Sequence, residues 1–353
     1  MKVTHLEISV SRRSPDPHPI RDALQALPGA GSVRVTVHTD TTIHGAPITG
    51  TSQIYFGRIA GAPDALAALI EHELQPLVLG SDPAYVRAIH TAMLAETEYH
   101  GAFGLAMFGI AAIDTALWDC HGKALGVPCW QLWGGARTQI PAYAMVGWLN
   151  HDVAKLQEMC ALAVEQGFRG VKMKVGAPTL REDTARVEAV RAAVGENIDL
   201  MVDANQSLST VEAIRRGRAF QALGCHWWEE PIPADDIDGY TALVQALDIP
   251  IATGENLYTA ADFARFLRRD AVDIIQPDLR RAGGPTSMLQ IGTMAHAFRR
   301  SYASHGGDPV QVNVMACLPN AVYLETGLLS ADAPFTLDDG CVPVPRGPGF
   351  EWK

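Results

Sequence analysis

The sequence predicts an α/β protein in which a parallel β/α barrel follows a smaller α+β domain. Two observations support this fold class. Short apolar segments recur after Gly135, and most of them are separated by amphipathic helical segments. Upstream, strand-like alternation gives way to helical periodicity. Buried strands that alternate with helices are typical of a parallel barrel. A doubly wound open sheet is the alternative, but the GxGxxG that a dinucleotide fold carries after its first strand is missing.

The first domain combines a hairpin with helices. VTHLEISV alternates as a strand does, and SVRVTVHTDTTIHGAPITG has the turn residues of a hairpin. Helical periodicity follows from about Asp64 to Ala124. Its last segment, GLAMFGIAAIDTALWDCHGKALG, has apolar residues three and four apart and stops at Gly126. We therefore predict an α+β domain over residues 1–136.

The barrel is predicted over residues 137–329. Its eight strand candidates are IPAYAMV, GVKMKV, IDLMVDA, HWWEEPI, IPIATGE, VDIIQPD, SYASHG and VYLETG. Segments such as DVAKLQEMCALAVEQG supply the intervening helices. The remaining tail, residues 330–353, contains PVPRGPGFEWK and is predicted to fold back onto the first domain.

Composition narrows the classes of function. Of the 353 residues, 48% are hydrophobic and 19% charged, as in an ordinary globular enzyme, and the net charge of −11 argues against nucleic acid or an anionic membrane as partner. No segment has the length and apolarity of a membrane span, and MKVTHLEISV does not resemble a signal peptide. The six cysteines include no CxxC pair, which favours reduced thiols. We expect a cytoplasmic protein.

Three acids close successive strand candidates. Asp203, Glu229 and Glu255 are spaced by 26 residues, about one β/α unit. Since catalytic groups of such barrels lie at the carboxyl ends of strands, the three carboxylates are expected to converge. Carboxylates in one small space repel each other unless a cation neutralises them, and oxygen ligands suit Mg²⁺. The alternative is that each acid is a separate helix cap or surface residue.

The stretch GVKMKVG places two lysines on one face of a strand. Lys172 and Lys174 alternate with Val171, Met173 and Val175, which suit burial on the other face. Mutual repulsion and partial burial are expected to lower the pKa of one lysine, so that it can abstract a proton. The other lysine, as an ammonium, would help to hold the negative charge of a substrate carboxylate. The alternative is a solvated edge strand.

A carboxylate and an imidazole end the next two neighbouring strands. Asp278 closes the sixth strand candidate and His305 the seventh. A carboxylate that accepts the Nδ1 proton would orient the imidazole and raise its basicity. His305 would then face Lys174 across the barrel mouth, with one base on each face of a flat intermediate. A histidine in SHGG is otherwise more often structural.

These residues lie within motifs that run along nearly the whole chain. They are ALWDxxGKxLGxPxxxLxGG at Ala116–Gly135, then KMK, DAN, EEP, GEN, QPD, AGGPT, SHG and LE. In this order the chain resembles the enolase superfamily, in its mandelate racemase-like subgroup. The resemblance implies a modified TIM barrel, (β/α)7β, with an α+β capping domain formed by the N-terminal region and the C-terminal tail. The muconate-lactonizing subgroup would show a lysine where the sixth strand here ends in Asp278.

The resemblance also implies roles for individual residues. Mg²⁺ would bind the three acids, and Lys174 and His305 would be the acid/base pair. Lys172 and Asn205 would contact the substrate carboxylate, and Glu325 would hydrogen-bond the oxygen that becomes the enediolate. Loops around Arg12–Arg21 and Thr51–Arg58 decide substrate in this family. The residues we expect at the distal end of the substrate are Arg12, Arg13, Tyr55 and Arg58.

The implied reaction begins with abstraction of the proton α to a carboxylate. Dehydration of an acid sugar or related hydroxy acid to a 2-keto acid is the favoured outcome. Racemisation, epimerisation or cycloisomerisation through the same intermediate is the alternative, and a non-catalytic carboxylate-binding protein is a remote one. We expect a small-molecule carboxylate as substrate and a homo-oligomeric enzyme.

Overall fold

The computed structural model describes residues 1–333 and 335–352. Within the predicted tail, Pro334 and Lys353 lie outside the described residues. The strands are β1 (Val3–Arg12), β2 (Ile20–Arg21), β3 (Ala26–Leu27), β4 (Gly31–Ile43), β5 (Ala46–Phe56), β6 (Gln139–Gly147), β7 (Gly170–Lys174), β8 (Asp199–Asp203), β9 (Trp228–Glu229), β10 (Ile251–Thr253), β11 (Ile274–Ile275), β12 (Ser301–Ala303), β13 (Ala321–Thr326) and β14 (Cys341–Pro343).

The earlier helices precede residue 136, and the later ones alternate with the strands that follow it. They are α1 (Ala62–Leu69), α2 (Gln75–Val78), α3 (Val86–Thr97), α4 (Leu105–Leu125), α5 (Cys129–Trp133), α6 (Val153–Glu165), α7 (Leu180–Val194), α8 (Thr210–Ala222), α9 (Ile237–Ala246), α10 (Ala260–Arg268), α11 (Leu279–Ala282), α12 (Pro285–Ala297) and α13 (Pro309–Ala316). None of the helices in the described parts of the chain is long and apolar enough to cross a membrane.

The capping domain is an antiparallel sheet covered by helices. The sheet has the order β1-β4-β5, and alternate residues of β4, among them Val33, Val35 and Val37, are fully buried. Helix α4 lies directly on this sheet, because a Cβ at Gly50 would come within 1.9 Å of the carbonyl oxygen of Ala116. The helix ends, as the sequence predicts, before Gly126, whose φ of 70° gives the left-handed C-terminal turn.

The second part of the chain is a closed parallel barrel. Strands β6 to β13 pair in chain order, and β13 pairs with β6 to close the ring. Each successive pair of strands is joined through helices packed on the outside, which gives (β/α)7β. Side-chain caps start many of these helices, as at Thr179, whose hydroxyl accepts from the Glu182 N–H in a capping box. The predicted fold class is confirmed.

The tail contacts both parts of the molecule. Strand β14 pairs antiparallel with the start of β6, and the Phe350 N–H donates to Oδ1 of Asp119 in α4 at 3.0 Å. The division at residues 136 and 329 stays a prediction. All six cysteines are free.

Polar contacts join the cap to the barrel beside the sixth strand. The buried Asp114 of α4 accepts from the Thr286 N–H at 2.9 Å and from its hydroxyl at 2.7 Å. His90 of α3 lies 3.1 Å from the carbonyl oxygen of Gly283. The Gly-Gly pair of AGGPT permits this approach, because a Cβ at Gly284 would lie 2.6 Å from the Asp114 carboxylate.

Candidate active site

The carboxyl ends of the first strands bring charged residues into one register. Lys174 is paired with Asp203, and Asp203 with Glu229, each the last residue of its strand. Glu255 is different: the register partner of Glu229 is Ala252, and Glu255 lies beyond the end of β10. The expectation that each acid closes its strand therefore holds for Asp203 and Glu229 and is wrong for Glu255, which follows its strand. Gly254, with φ of 145°, makes the turn that precedes it.

Each of the three acids contacts a basic side chain. Nζ of Lys174 lies 2.5 Å from Oδ2 of Asp203, and Nζ of Lys172 lies 2.8 and 2.7 Å from the two oxygens of Glu229. Nε2 of His305 lies 2.7 Å from Oε2 of Glu255. With the acids held by these bases, no cluster of three His, Cys, Asp or Glu side chains stands in ligating geometry within residues 1–333 and 335–352. The charges of Asp203 and Glu255 both raise the pKa of Glu229, so the three carboxylates nevertheless lie near one another.

The chemistry of this donor set fits Mg²⁺. The three carboxylates are at most 8% exposed and offer only oxygen, the donor that Mg²⁺ prefers. Burial, which Lys172 only partly offsets, raises the pKa of Glu229 to about 7. A further observation is that the buried Oδ1 of Asn205 has no hydrogen-bond partner in the described structure. Buried anionic oxygens and an unsatisfied amide oxygen are what a hard divalent cation and its ligands would satisfy.

The sequence predicts that one lysine has a lowered pKa. The charged groups of the protein itself have the opposite effect, so this prediction is wrong. Burial disfavours the charged form of both lysines, but the nearby carboxylates outweigh it. Glu229 and Glu325 raise the pKa of Lys172 well above its ordinary value, and Asp203 raises that of Lys174. The sequence pattern shows that the lysines are neighbours, but it does not show that each ammonium is paired with a carboxylate. Both lysines are buried, so the edge-strand alternative is excluded.

The imidazole of His305 is held from both ends. Its Nδ1 lies 2.8 Å from Oδ2 of Asp278, and the two residues form an isolated parallel β-bridge. Burial alone would lower the pKa of His305, but the carboxylates of Glu255 and Asp278 raise it well above its usual range. Asp278 thus orients the ring through Nδ1, and Nε2 is the nitrogen that faces Glu255. The sequence prediction placed these two residues together correctly.

Glu325 is an acceptor in this arrangement. It accepts from the Tyr143 hydroxyl at 2.6 Å and from the Gly306 N–H at 3.1 Å, and it is paired with Lys172. Burial would raise the pKa of Glu325, but Lys172 and His305 lower it to about 2. An ionised carboxylate has no proton to donate, so Glu325 accepts hydrogen bonds here, and its contact with the oxygen that becomes the enediolate stays a prediction.

Backbone strain is concentrated at the same strand ends. Asn205, Gln206 and Glu230 have φ of 43°, 65° and 40°, values that residues other than glycine rarely adopt. Such strain persists where the surrounding structure demands a particular side-chain direction, and it is often found at functional sites. The DAN and EEP motifs therefore contain two sharp turns of the backbone, and these turns set the directions of the side chains at the strand ends.

Several residues of the site were not assigned a role from the sequence. The Glu230 carboxyl is fully buried and accepts from Nδ2 of Asn256 at 2.8 Å; burial and the neighbouring acid Glu255 raise its pKa well above the usual range. Nε2 of Gln276 donates to Glu229 at 3.0 Å. The EEP and QPD motifs contain these residues, so the motifs were the available signal.

The four residues predicted at the distal end of the substrate are dispersed. Arg12 pairs with Asp64 on the surface of the cap, and the side chain of Arg13 lies over Gly29. Arg58 donates to Oε1 of Gln25 at 2.8 Å, whereas the Tyr55 side chain is 62% exposed. None of them hydrogen-bonds the acids or bases described above.

The hairpin of β2 and β3 in the cap lies close to the lysine strand. Its Ala23 is close enough to Gly176, just beyond β7, that a Cβ added there would lie 2.8 Å away. The Arg21 carbonyl accepts from the Leu149 N–H at 3.0 Å. Contacts of the capping loops with substrate stay a prediction, and Ala23 and its neighbours join the candidates.

The fold and this site define a class of enzymes, the capped β/α barrels that combine buried acids with lysine and histidine bases. Family comparisons give the particular family. Residues 6–134 match the mandelate racemase/muconate lactonizing enzyme N-terminal domain, and residues 155–350 match the enolase C-terminal domain-like family. The chain belongs to the mandelate racemase/muconate lactonizing enzyme family of the enolase superfamily, whose members use Mg²⁺.

Relatives of known activity are acid-sugar enzymes. A 3,6-anhydro-α-L-galactonate cycloisomerase of Streptomyces coelicolor is 36% identical over 305 residues, which cover 85% of this chain and 84% of the relative. An arabinonate dehydratase of Saccharolobus solfataricus is 35% identical, covering 82% of this chain and 81% of the relative.

Solved structures agree with these relatives. A racemase from Streptomyces coelicolor A3(2) with bound magnesium superimposes with a TM-score of 0.90 at 33% identity, covering 99% of this chain and 96% of the other. An L-talarate dehydratase from Polaromonas sp. JS666, complexed with Mg and L-glucarate, gives 0.86 at 29% identity, covering 100% and 94%.

Proposed function

We propose that this protein is a Mg²⁺-dependent dehydratase that converts an acid sugar, or a related hydroxy acid, to a 2-keto acid. The observation that carries the proposal is the His305–Asp278 pair. Because Asp278 holds Nδ1, the opposite nitrogen, Nε2, is the one available to move a proton in the space bounded by the acids. The dehydratases among the relatives support this choice of reaction.

The roles of the metal ligands belong to the proposal. Asp203, Glu229 and Glu255 would hold Mg²⁺, which supplies the positive charge that stabilises an enediolate. Lys172, fixed by Glu229 and Glu325, would add permanent charge near the substrate carboxylate. Asn205, whose amide oxygen lacks a partner, would complete the contacts to that carboxylate or to its water.

The bases would act in sequence. Lys174, as the neutral amine, would take the α-proton, and the electrons of the C–H bond would move into the enediolate. The imidazolium of His305 would then donate its Nε2 proton to the β-hydroxyl, so that the C–O bond breaks and water leaves. The resulting enol takes up a proton at carbon and releases its hydroxyl proton, which gives the 2-keto acid.

Isomerisation is a second candidate reaction, and two relatives of this chain support it. The cycloisomerase and the racemase similar to this chain show that the scaffold also supports isomerisation. If the substrate has no β-leaving group within reach of Nε2, His305 would instead return a proton to the opposite face. Epimerisation would then replace dehydration.

A panel of aldonic and aldaric acids tests the proposal. The enzyme is incubated with each acid and Mg²⁺ in D₂O, with 2-keto acid assayed chemically and α-proton exchange followed by ¹H NMR. We expect 2-keto acid from at least one member, no product with a chelator, and no product from Lys174→Ala. Exchange without 2-keto acid would establish the isomerase alternative. Binding without exchange would establish the carboxylate-binding alternative.

A further inference from the structure

The carboxylate that orients His305 has a second cationic partner. Oδ2 of Asp278 lies 2.8 Å from Nδ1 of His305 and also 2.6 Å from Nη2 of Arg280. Nε of Arg280 lies 3.2 Å from both carboxylate oxygens. Oδ1 accepts in addition from the backbone N–H groups of Arg280 and Arg281, both at 2.9 Å. The carboxylate is thus fixed on every side, and Arg280 supplies two of its side-chain donors.

The remaining arm of the same guanidinium contacts the capping domain. Nη1 of Arg280 donates to the carbonyl oxygen of Tyr55, near the end of β5, at 2.9 Å. The guanidinium carbon lies 5.7 Å from the ring centroid of Phe108 in α4. Each of the three guanidinium nitrogens therefore has a partner, and those partners belong to the barrel on one side and to the cap on the other.

We propose that Arg280 is a positioning residue that sets the orientation of the His305 imidazole according to how the cap is docked. The proposal rests on the function proposed above for His305. An arginine fork fixes a carboxylate in one plane, because its two N–H donors match the two oxygens. The plane of Asp278 then fixes the direction of Nδ1, and hence of Nε2 at the far side of the ring.

A lysine cannot replace this arginine. An ammonium at the end of a flexible stem can reach either Asp278 or the Tyr55 carbonyl, whereas the planar guanidinium contacts both at once. Arg280→Lys therefore keeps the positive charge and removes the link. Arg280→Met removes both. Comparing the two variants therefore distinguishes an effect of imidazole orientation from an effect of the positive charge beside Asp278.

A cap-side variant tests the link from its other end. Phe108→Leu removes the ring under the guanidinium and leaves every hydrogen bond of Arg280 in place. Arg137→Met is the matched control, because Nη2 of Arg137 likewise donates to a backbone carbonyl, that of Pro319, at 2.9 Å. Arg137 lies just before β6, at the amino end of the barrel and away from the site.

The experiment uses the Mg²⁺-loaded enzyme and the substrate found in the acid-sugar panel. We expect kcat to fall about 10- to 100-fold in Arg280→Met, as when a reacting group is displaced by about 1 Å. KM should change little, Arg280→Lys should recover only part of the loss, and Phe108→Leu should lose less than either. In D₂O, exchange at the imidazole face should fall in step with kcat, while exchange at the Lys174 face should persist.

A spectroscopic readout separates this inference from the proposed function. In protein with ¹⁵N-labelled histidine, the Nδ1–H resonance that disappears in His305→Asn should shift or broaden in the two Arg280 variants and stay unchanged in Arg137→Met. Unchanged resonance together with unchanged imidazole-face exchange in Arg280→Lys would overturn the inference. If the wild-type enzyme turned over no acid sugar, the proposed function would fail, and the resonance would still decide whether Arg280 positions the ring.

Discussion

Nδ1 of His305 lies 2.8 Å from Oδ2 of Asp278, although the two residues follow different strands of the barrel. The contact fixes which imidazole nitrogen faces Glu255, whose Oε2 lies 2.7 Å from Nε2. Removing the carboxylate should leave the ring in place by packing but release its orientation.

The division of labour between the bases can be tested by the face from which a proton is exchanged. Lys174→Ala should stop α-proton exchange on the lysine face only, whereas His305→Asn should stop exchange on the other face and also β-elimination. Asp278→Asn should reproduce His305→Asn in weaker form. Lys172→Ala should impair both faces, since this lysine supports charge and moves no proton. Identical face selectivity of the two lysine variants in D₂O would refute the assignment.

Mg²⁺ should stabilise the wild-type protein through the three acids. A ligand at about 100 times its Kd adds ~2.7 kcal/mol to the free energy of unfolding. The Mg²⁺-dependent rise in Tm should vanish in Asp203→Asn, Glu229→Gln and Glu255→Gln, together with activity. Asp235→Asn, a change of an exposed acid in the loop after β9, is the control and should keep the full rise. A variant of the trio that kept Mg²⁺-dependent turnover would remove that residue from the site.

The second glycine of SHGG should be the intolerant one. A Cβ on Gly307 would lie 2.0 Å from the backbone oxygen of Glu325, so Gly307→Ala must displace the strand that carries this acid. We expect a large loss of activity and of Tm. Gly306 has φ of 79° and open space around its Cβ position, so Gly306→Ala should cost only about 1–2 kcal/mol of backbone strain. Equal effects of the two variants in urea unfolding would contradict the argument.

A buried ion pair behind the lysine strand should be needed for stability. Asp183 is fully buried, accepts from the N–H groups of Gly176 and Ala177, and lies 2.5 Å from Nη1 of Arg216. Arg216→Met would leave that carboxylate uncompensated and should cost about 3–5 kcal/mol. Arg215→Met is the control, because the Arg215 side chain is 66% exposed and its pair with Glu212 is solvated. Equal urea midpoints for the two variants would show that Asp183 needs no partner.

The cap–barrel contact at Asp114 should depend on pH. Burial raises the pKa of Asp114 even though Thr286 donates to it. A raised native pKa means that the folded state binds the proton more tightly than the unfolded state. The contribution of the protonated Asp114 to the free energy of unfolding is therefore complete below the ordinary carboxyl pKa. It is lost as the pH rises through the raised pKa that Asp114 has in the folded protein.

Asp114→Asn can keep both contacts with Thr286 without the charge. The free energy of unfolding of the wild type should therefore fall relative to that of Asp114→Asn as the pH is raised from about 4 through the raised pKa. Asp114→Ala, which loses the contacts, should be less stable than either at every pH. A difference between wild type and Asp114→Asn that did not change with pH would disprove the argument.

The sequence by itself determined the fold class and the strand ends at which a site was to be expected. Apolar strands spaced by amphipathic helices specify a barrel, and the carboxyl ends of its strands must meet at one mouth. Residues at those ends, such as Asp203, Glu229 and His305, could therefore be assembled without coordinates. The pairing of His305 with Asp278 followed because consecutive strands of a parallel barrel are neighbours in space.

Only the tertiary structure decided the charge states and the supporting contacts. The pKa of Lys174 rises because Asp203, distant in the sequence, approaches to 2.5 Å, and Coulomb energies depend on such distances, which no local pattern contains. The position of Glu255 depends on a turn at one glycine. No local pattern in the sequence marks Arg280, yet it joins Asp278 to the cap, because Tyr55 lies 225 residues away along the chain and reaches it only in the packed structure.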